Sequence, residues 1–206
     1  MVLASDIEIV FLEWISTVGL TVSPFRLGGE IVEVSGPRRL GEDTSLLIRP
    51  APGGFAVSEI AWRDARTEEW LGSFATIADA QNFISVLIAP TVRFRLSPAD
   101  ERGVREGWPP LAIPRRRGEE AAGFTIVMPP PGARPKPPSE EGEPADPGPG
   151  DDVIRIVDPK RRVTALFPAS NLSAAVAFTH YAGRPTADVV AACGNISGAP
   201  LFSSRR

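Results

Sequence analysis

The chain has 206 residues, with 22 basic side chains against 25 acidic ones and a formal net charge of −3. This length suffices to bury a substantial core in one large domain or two small ones, while the slightly acidic total gives no overall attraction to nucleic acid or anionic lipid. A single cysteine, Cys193, excludes an internal disulfide and a multi-cysteine metal site, which suits a reducing compartment.

The N-terminal segment is apolar but does not resemble a secretion signal. It has no basic leader, and Asp6, Glu8 and Glu13 interrupt it. No uncharged apolar stretch approaches the ~20 residues that a membrane-spanning helix needs. We therefore expect a protein of the bacterial cytoplasm or an equivalent compartment, without a membrane partner.

One helix and two strands are predicted at the start of the chain. Ser5 followed by Glu8 is a capping-box signature, and Gly19 is placed to end the helix. Two short strands, Glu30 to Val34 and Ser45 to Arg49, are expected next, before a Pro/Gly turn. The predicted buried face of the helix consists of Ile7, Val10, Phe11, Trp14 and Val18.

A hairpin is predicted from two apolar runs, Phe55 to Arg63 and Glu68 to Phe74, joined by a polar turn. The first run does not alternate strictly, because its apolar phase changes across Ser58 and Glu59. Either a β-bulge inserts a residue here, or the strand is covered on both faces. We favour the bulge, because Ser58 and Glu59 are poor residues to bury.

An amphipathic helix follows the hairpin. Thr76 is placed to cap its first turn, and Asp79 adds negative charge beside the positive end of the helix dipole. Pro90 is expected to stop the helix. After it, Val92 to Leu96 alternates cleanly and predicts a strand with its two arginines facing outward. The apolar stripe of the helix consists of Ile77, Ala80, Phe83, Ile84, Leu87 and Ile88.

The middle of the chain is predicted to be irregular. Pro98 to Glu120 reads as a connection, followed by a strand from Phe124 to Met128. Pro129 to Gly150 then contains nine prolines and four glycines, a composition that buries too little apolar surface to offset its ordering entropy. It is either a linker between domains or a solvated excursion. We favour the excursion, hence one domain over residues 1–206 with a flexible loop at about 129–151.

The last third repeats the order of the hairpin unit. We predict strands at Val153 to Val157 and Val163 to Phe167, a helix capped by Ser170 or Asn171, and a further helix from Thr186 to Cys193. The segments "SFATIADAQNF" and "LFPASNLSAAVAF" share a strand ending in Phe, a small polar cap and an Ala-rich helix. The predicted fold class is therefore α+β: an antiparallel β-sheet with helices packed against it, and a weak strand-strand-helix pseudo-repeat.

A search for catalytic chemistry finds few candidates. His180, the single histidine, lies near a predicted helix end, where a cationic side chain is the favoured role. Cys193 lies in an Ala/Val-rich helix, where it is favoured as a buried small hydrophobe. No histidine, cysteine and carboxylate spacing matches a zinc or calcium site. The glycine pairs precede strands, not helices, which argues against a phosphate cradle. The sequence thus predicts neither an enzyme nor a bound cofactor or metal.

A binding surface is the remaining hypothesis. The predicted hairpin tip is rich in tryptophan, arginine and carboxylates, and Trp and Arg dominate binding hot spots. A second choice is the connection that carries Trp108 and the Arg115 to Arg117 cluster. The candidate partner-binding residues are Trp62, Arg63, Asp64, Arg66, Glu68, Glu69, Trp108 and Arg115.

Three stretches of the chain together resemble a known family. They are "GFAVSEIAWRDARTEEWLGSFATIADAQNFI", "RRVTALFPASNLSAAVAFTHYAG" and the ending "SGAPLF". This order is similar to that of immunity protein family 61, the actinobacterial antitoxins that neutralise toxins of the tuberculosis necrotizing toxin type. The likeness spans most of the chain outside the Pro-rich segment.

The resemblance implies a non-catalytic immunity protein. Such toxins hydrolyse NAD, and their immunity factors bind them tightly and obstruct the NAD site, so the implied partner is a cognate toxin that a monomeric chain meets as a heterodimer. Two alternatives remain from the residues: a chaperone or adaptor for a secreted effector, or an enzyme that uses carboxylates alone.

Overall fold

A computed structural model describes residues 7–24, 32–35, 44–62, 66–134, 151–199 and 201–202. The Pro/Gly-rich segment 135–150 and the predicted cap Ser5 lie outside these residues. The helices are α1 (Ile9–Ser16), α2 (Ile77–Leu96), α3 (Leu172–Thr179) and α4 (Thr186–Gly194). The strands are β1 (Thr21–Pro24), β2 (Val32–Ser35), β3 (Thr44–Ala51), β4 (Gly54–Trp62), β5 (Arg66–Phe74), β6 (Thr125–Val127), β7 (Val153–Val157) and β8 (Val163–Pro168).

The strands form one antiparallel sheet in the order β1-β2-β3-β4-β5-β8-β7-β6. Helix α2 packs on β4 and β5, and α3 packs on β7 and β8. The predicted α+β class is therefore confirmed. Helices α1 and α4 pack against α2 and extend the same core, because each presents a stripe of buried apolar side chains.

The strand pattern locates a bulge in the central hairpin, but in the return strand. Val57 pairs with Gly72 and Ser58 with Trp70, so Leu71 of β5 is the extra residue. Strand β4 keeps an unbroken register with β3. The adjacent Val57 and Ser58 are both fully buried, so the strand is also covered on both faces here. Burial of Ser58 contradicts the reason for which the bulge was favoured.

The strand predicted at Val92 to Leu96 is wrong, as is the helix stop at Pro90. Helix α2 runs through Pro90 to Leu96. Val92 is buried as expected, but Arg93 is buried and Phe94 is exposed, the reverse of what the alternation predicts for these two residues. A proline inside a helix costs about 3 kcal/mol. The burial of Val92 and the packing of α4 along α2 outweigh that cost.

Helix α1 buries the face that the apolar spacing predicts, including Phe11 and Trp14. The predicted capping box places Glu8 in the first helical turn, whereas Glu8 is the residue that precedes α1. Instead, its backbone N–H donates to Gln81 Oε1 at 2.9 Å, and its carboxylate accepts a 2.7 Å bond from the Thr186 hydroxyl. Glu8 therefore ties the start of α1 to both α2 and α4.

The predicted pseudo-repeat is present in three dimensions. The units β4-β5-α2 and β7-β8-α3 meet where β5 pairs antiparallel with β8. Each unit contributes a strand-end Phe and a helix Phe: Phe74 with Phe83 at 5.0 Å between ring centroids, and Phe167 with Phe178 at 5.7 Å. The strand-end rings Phe74 and Phe167 also meet edge to face at 5.6 Å. The equivalent phenylalanines thus form one cluster at the join.

Candidate functional site

The predicted hairpin tip is only partly described. Trp62 ends β4 and pairs in register with Arg66, which begins β5, while their side chains, together with Arg63 and Asp64, lie outside the described residues. Glu69 follows on β5 and is exposed. The backbone thus places Trp62, Arg66 and Glu69 at one end of the hairpin.

Glu68 occupies a different position from its neighbour Glu69. Its side chain is 8% exposed and forms an ion pair with Arg49 of β3. A buried carboxylate with a charged partner is already compensated, and separating the pair would leave a buried charge. Glu68 therefore stabilises the sheet, which makes it a poor contact for a second protein.

Trp108 lies over a buried arginine. The guanidinium carbon of Arg93 is 5.5 Å from the centre of the Trp108 ring, the geometry of a cation–π contact. Arg93 itself is 2% exposed. It lies on α2, in the stretch that the sequence pattern assigned to a strand with outward arginines.

Arg93 joins three segments of chain through backbone carbonyls. Its Nε and Nη2 donate to the Pro109 carbonyl at 3.2 and 2.7 Å. Its Nη1 donates to Cys193 at 2.9 Å and Asn195 at 2.5 Å, and its Nη2 also reaches Ile196 at 2.9 Å. Desolvation lowers the pKa of Arg93. The carbonyl dipoles at the C-terminal end of α4 compensate its charge.

Exposed apolar residues adjoin the residues of this contact along the chain. Phe94 is 52% exposed and Ile196 59% exposed, and Trp108 is half-buried between the segments that Arg93 holds. Gly107 adopts φ 76°, and a Cβ there would lie 3.3 Å from the Phe94 ring, so the loop closes tightly on α2. We call Phe94, Trp108, Pro109 and Ile196 the Trp108 surface.

The predicted arginine cluster follows in the same connection. Arg115, Arg116 and Arg117 are exposed. The Glu119 carboxylate accepts the backbone N–H groups of Arg115 and Arg116 at 3.3 and 3.0 Å. This turn fixes the backbone while the guanidinium groups face solvent.

A groove of about 830 Å³ lies beside this turn and is lined by Pro114, Glu119, Glu120, His180 and Leu201, among others. His180 Nε2 is 2.8 Å from the Glu119 carbonyl oxygen. Because a carbonyl only accepts, Nε2 carries the hydrogen and Nδ1 is the acceptor in the neutral ring. A bond from the Gly118 N–H to the Glu120 carboxylate lowers the pKa of that group.

The buried titratable groups have structural roles. Cys193 is fully buried and burial raises its pKa to about 12, as expected for a small hydrophobe. Burial also raises the pKa of Tyr181. Asp79 accepts the Gly183 N–H at 2.8 Å and the Thr76 hydroxyl at 2.9 Å. Thr76 in turn caps α2 as predicted, since its hydroxyl oxygen accepts the Asp79 N–H at 3.1 Å.

Within the described ranges, no group of three or more His, Cys, Asp or Glu side chains is placed to hold a metal ion. The same part of the chain contains no helix that is both long and apolar enough to span a membrane.

The sequence pattern named Trp108 and Arg115 as candidate contacts but did not name Arg93, Phe94 or Ile196. The helix-compatible spacing of Ala89, Val92 and Arg93 was available as a signal. The stop expected at Pro90 concealed it.

No family model and no curated protein matches the chain. Among solved structures, the chain is similar to Rv3902c from M. tuberculosis, with a TM-score of 0.68 and 14% sequence identity. The match covers 100% of this chain and 99% of that one. At this identity the likeness establishes a shared fold.

Proposed function

We propose that this chain is a non-catalytic immunity protein of the cytoplasm, which binds a cognate NAD-hydrolysing toxin as a monomer and occludes the toxin's active site. The observation that carries the proposal is the Trp108 surface: an exposed aromatic and aliphatic patch fixed in place by a buried arginine. The class of toxin comes from the resemblance of the sequence to immunity protein family 61.

Preorganisation is what such an inhibitor requires. A surface that is already ordered before binding loses little side-chain entropy on association, which favours tight complexes. Arg93 holds the Pro109 and Ile196 backbones in register with each other through the bonds described above. Arg93 therefore holds the backbone of the Trp108 surface in place before a partner binds.

The Trp108 surface is continued along the chain by residues that could enlarge the interface. Stable heterodimers bury about 800 Å² on each partner, more than a few side chains provide. The segments at Pro109 and Ile196 continue to Pro114 and Leu201, which line the groove beside His180. Together they give a continuous route for a larger footprint.

The groove favours one second candidate, an adaptor for a secreted effector. Adaptors of this kind bind an amphipathic helix of the effector in a groove. The two candidates differ in the partner, because an effector without NAD-degrading activity would have nothing for an immunity protein to inhibit.

Co-expression with the NAD-hydrolysing toxin that the proposal expects in a neighbouring gene tests the proposal. We expect cells that make both proteins to survive and retain NAD, and the purified chain to abolish NAD hydrolysis by the purified toxin at a one-to-one ratio. The purified chain without toxin is the control for an enzymatic activity of its own. Persistent NAD loss with the chain in excess would refute the immunity role.

A further inference from the structure

We propose that the Trp108 surface is the centre of the interface, and that the partner meets it with a large apolar side chain flanked by carboxylates. This inference rests on the proposed function and specifies where the toxin binds and with what chemistry. It displaces the hairpin tip, the first choice of the sequence pattern, as the main contact.

The apolar part of the argument is exposure without a local partner. Phe94, Trp108 and Ile196 come from three separate segments, yet meet around one arginine. Apolar groups gathered in this way on a surface mark interaction sites more often than isolated ones do. Aromatic anchors at the centre of an interface supply most of its binding energy.

The charge around the patch selects the partner. Seven arginines lie between Arg93 and Glu120. Arg93 and Arg105 donate to backbone carbonyls, Arg105 to those of Arg95 and Ser97. The other five have exposed side chains, which make no hydrogen bond or ion pair with any described residue: Arg95, Arg102, Arg115, Arg116 and Arg117.

Most carboxylates of the same stretch accept hydrogen bonds from backbone N–H groups. Asp100 accepts the Arg102 and Val104 N–H groups at 2.9 and 2.8 Å, and Glu119 and Glu120 accept backbone N–H groups of the arginine turn. Glu101 and Glu106 remain exposed. Residues 93–120 thus hold seven arginines against five carboxylates, a local net charge of +2 on a chain of net charge −3. An acidic partner surface is complementary to this positive rim.

A second copy of this chain fits the surface poorly. In a two-fold dimer each surface faces the identical one, so two surfaces of net positive charge would face each other. Like charges across an interface disfavour association. The rim thus favours a partner of opposite charge over self-association.

Binding of a catalytically inactive variant of the expected toxin, measured by titration calorimetry and surface plasmon resonance, tests the inference. The apolar variant Phe94→Ala/Ile196→Ala should weaken the Kd at least about tenfold, mainly through faster dissociation. The charge variant Arg95→Glu/Arg102→Glu should slow association about tenfold and reduce its salt dependence. Arg155→Glu/Arg184→Glu is the matched control, because both arginines are exposed on other elements and the charge change is equal.

The outcomes separate this inference from the function. If the wild type binds and the surface variants bind equally well, or if Glu69→Lys alone removes binding, the Trp108 surface is refuted while the immunity role stands. If the wild type does not bind the toxin, both are refuted. If light scattering shows a dimer that Phe94→Glu dissociates, a second copy occupies the surface and the inference fails. Circular dichroism confirms that each variant is folded.

Discussion

Replacement of Arg93 by methionine is the sharpest test of the structure. Methionine keeps an unbranched stem but is shorter, and it removes the charge and all of the donors. Hydrogen bonds from a charged donor contribute about 1.5–3 kcal/mol each, and such contributions are not additive. Arg93 donates to four carbonyls, at Pro109, Cys193, Asn195 and Ile196. Loss of the donor leaves a buried acceptor unsatisfied at a cost of about 1–3 kcal/mol, so across these carbonyls we expect a total loss of about 3 kcal/mol.

Urea denaturation followed by circular dichroism measures the change in the free energy of unfolding. An unchanged m value would show that the comparison is between like states. Arg95→Met is the matched control: the same substitution two residues away on α2, at an exposed side chain, should stay within about 0.5 kcal/mol of the wild type. Arg93→Lys should fall between the two, because an ammonium lacks the planar fork that reaches several carbonyls. A loss below about 1 kcal/mol for Arg93→Met would refute the role of Arg93 as the junction of these segments.

Three further predictions concern other buried groups. With a pKa raised to about 12, the Cys193 thiol stays protonated at pH 8, so Ellman's reagent should react with the unfolded chain but not the folded one; rapid modification of the folded protein would contradict its burial. Asp79→Ala should cost about 1–3 kcal/mol in urea denaturation, because the Gly183 N–H and the α2 dipole lose their partner; the exposed Asp188→Ala is the control. The Ser58 hydroxyl is fully buried without a hydrogen-bond partner among the described residues, so Ser58→Ala should be neutral or stabilise by up to about 1 kcal/mol, and a loss above 1 kcal/mol would reveal a hidden partner.

Local signals predicted the two hairpins and the Thr76 cap correctly, whereas the predicted Asn171 cap of α3 makes no side-chain bond. In the β7–β8 turn, the Asp158 carboxylate accepts the Arg162 N–H at 2.8 Å, a local contact that favours turns. Arg161 adopts a positive φ of 62° in the same turn. Thr76 and Asp79 are likewise close in sequence to the groups they bind. Such contacts join residues that are close in sequence, so they can be predicted without knowledge of the fold.

The errors arise where distant parts of the chain meet. Alternation at Val92 to Leu96 predicts a strand, but the same residues also satisfy a helical spacing. The choice is made by packing against α4, about 100 residues away in sequence (Arg93 to Cys193). Ser58 is buried for a similar reason, since the residues that cover β4 are not its neighbours in sequence. No local pattern carries that information.

The candidate surface lies where the internal repeat breaks down. The helix Phe occupies the seventh position of both α2 and α3, counting from Ile77 to Phe83 and from Leu172 to Phe178. Helix α3 ends one residue later at Thr179, whereas α2 continues through Pro90 to Leu96. The additional turns carry Arg93 and Phe94, and the segments that Arg93 binds have no counterpart in the second unit. The two repeated units build a common core around the phenylalanine cluster, so the extension of α2 is free of that constraint. A surface for a particular partner is most easily added at such a place, because changes there leave the shared core intact.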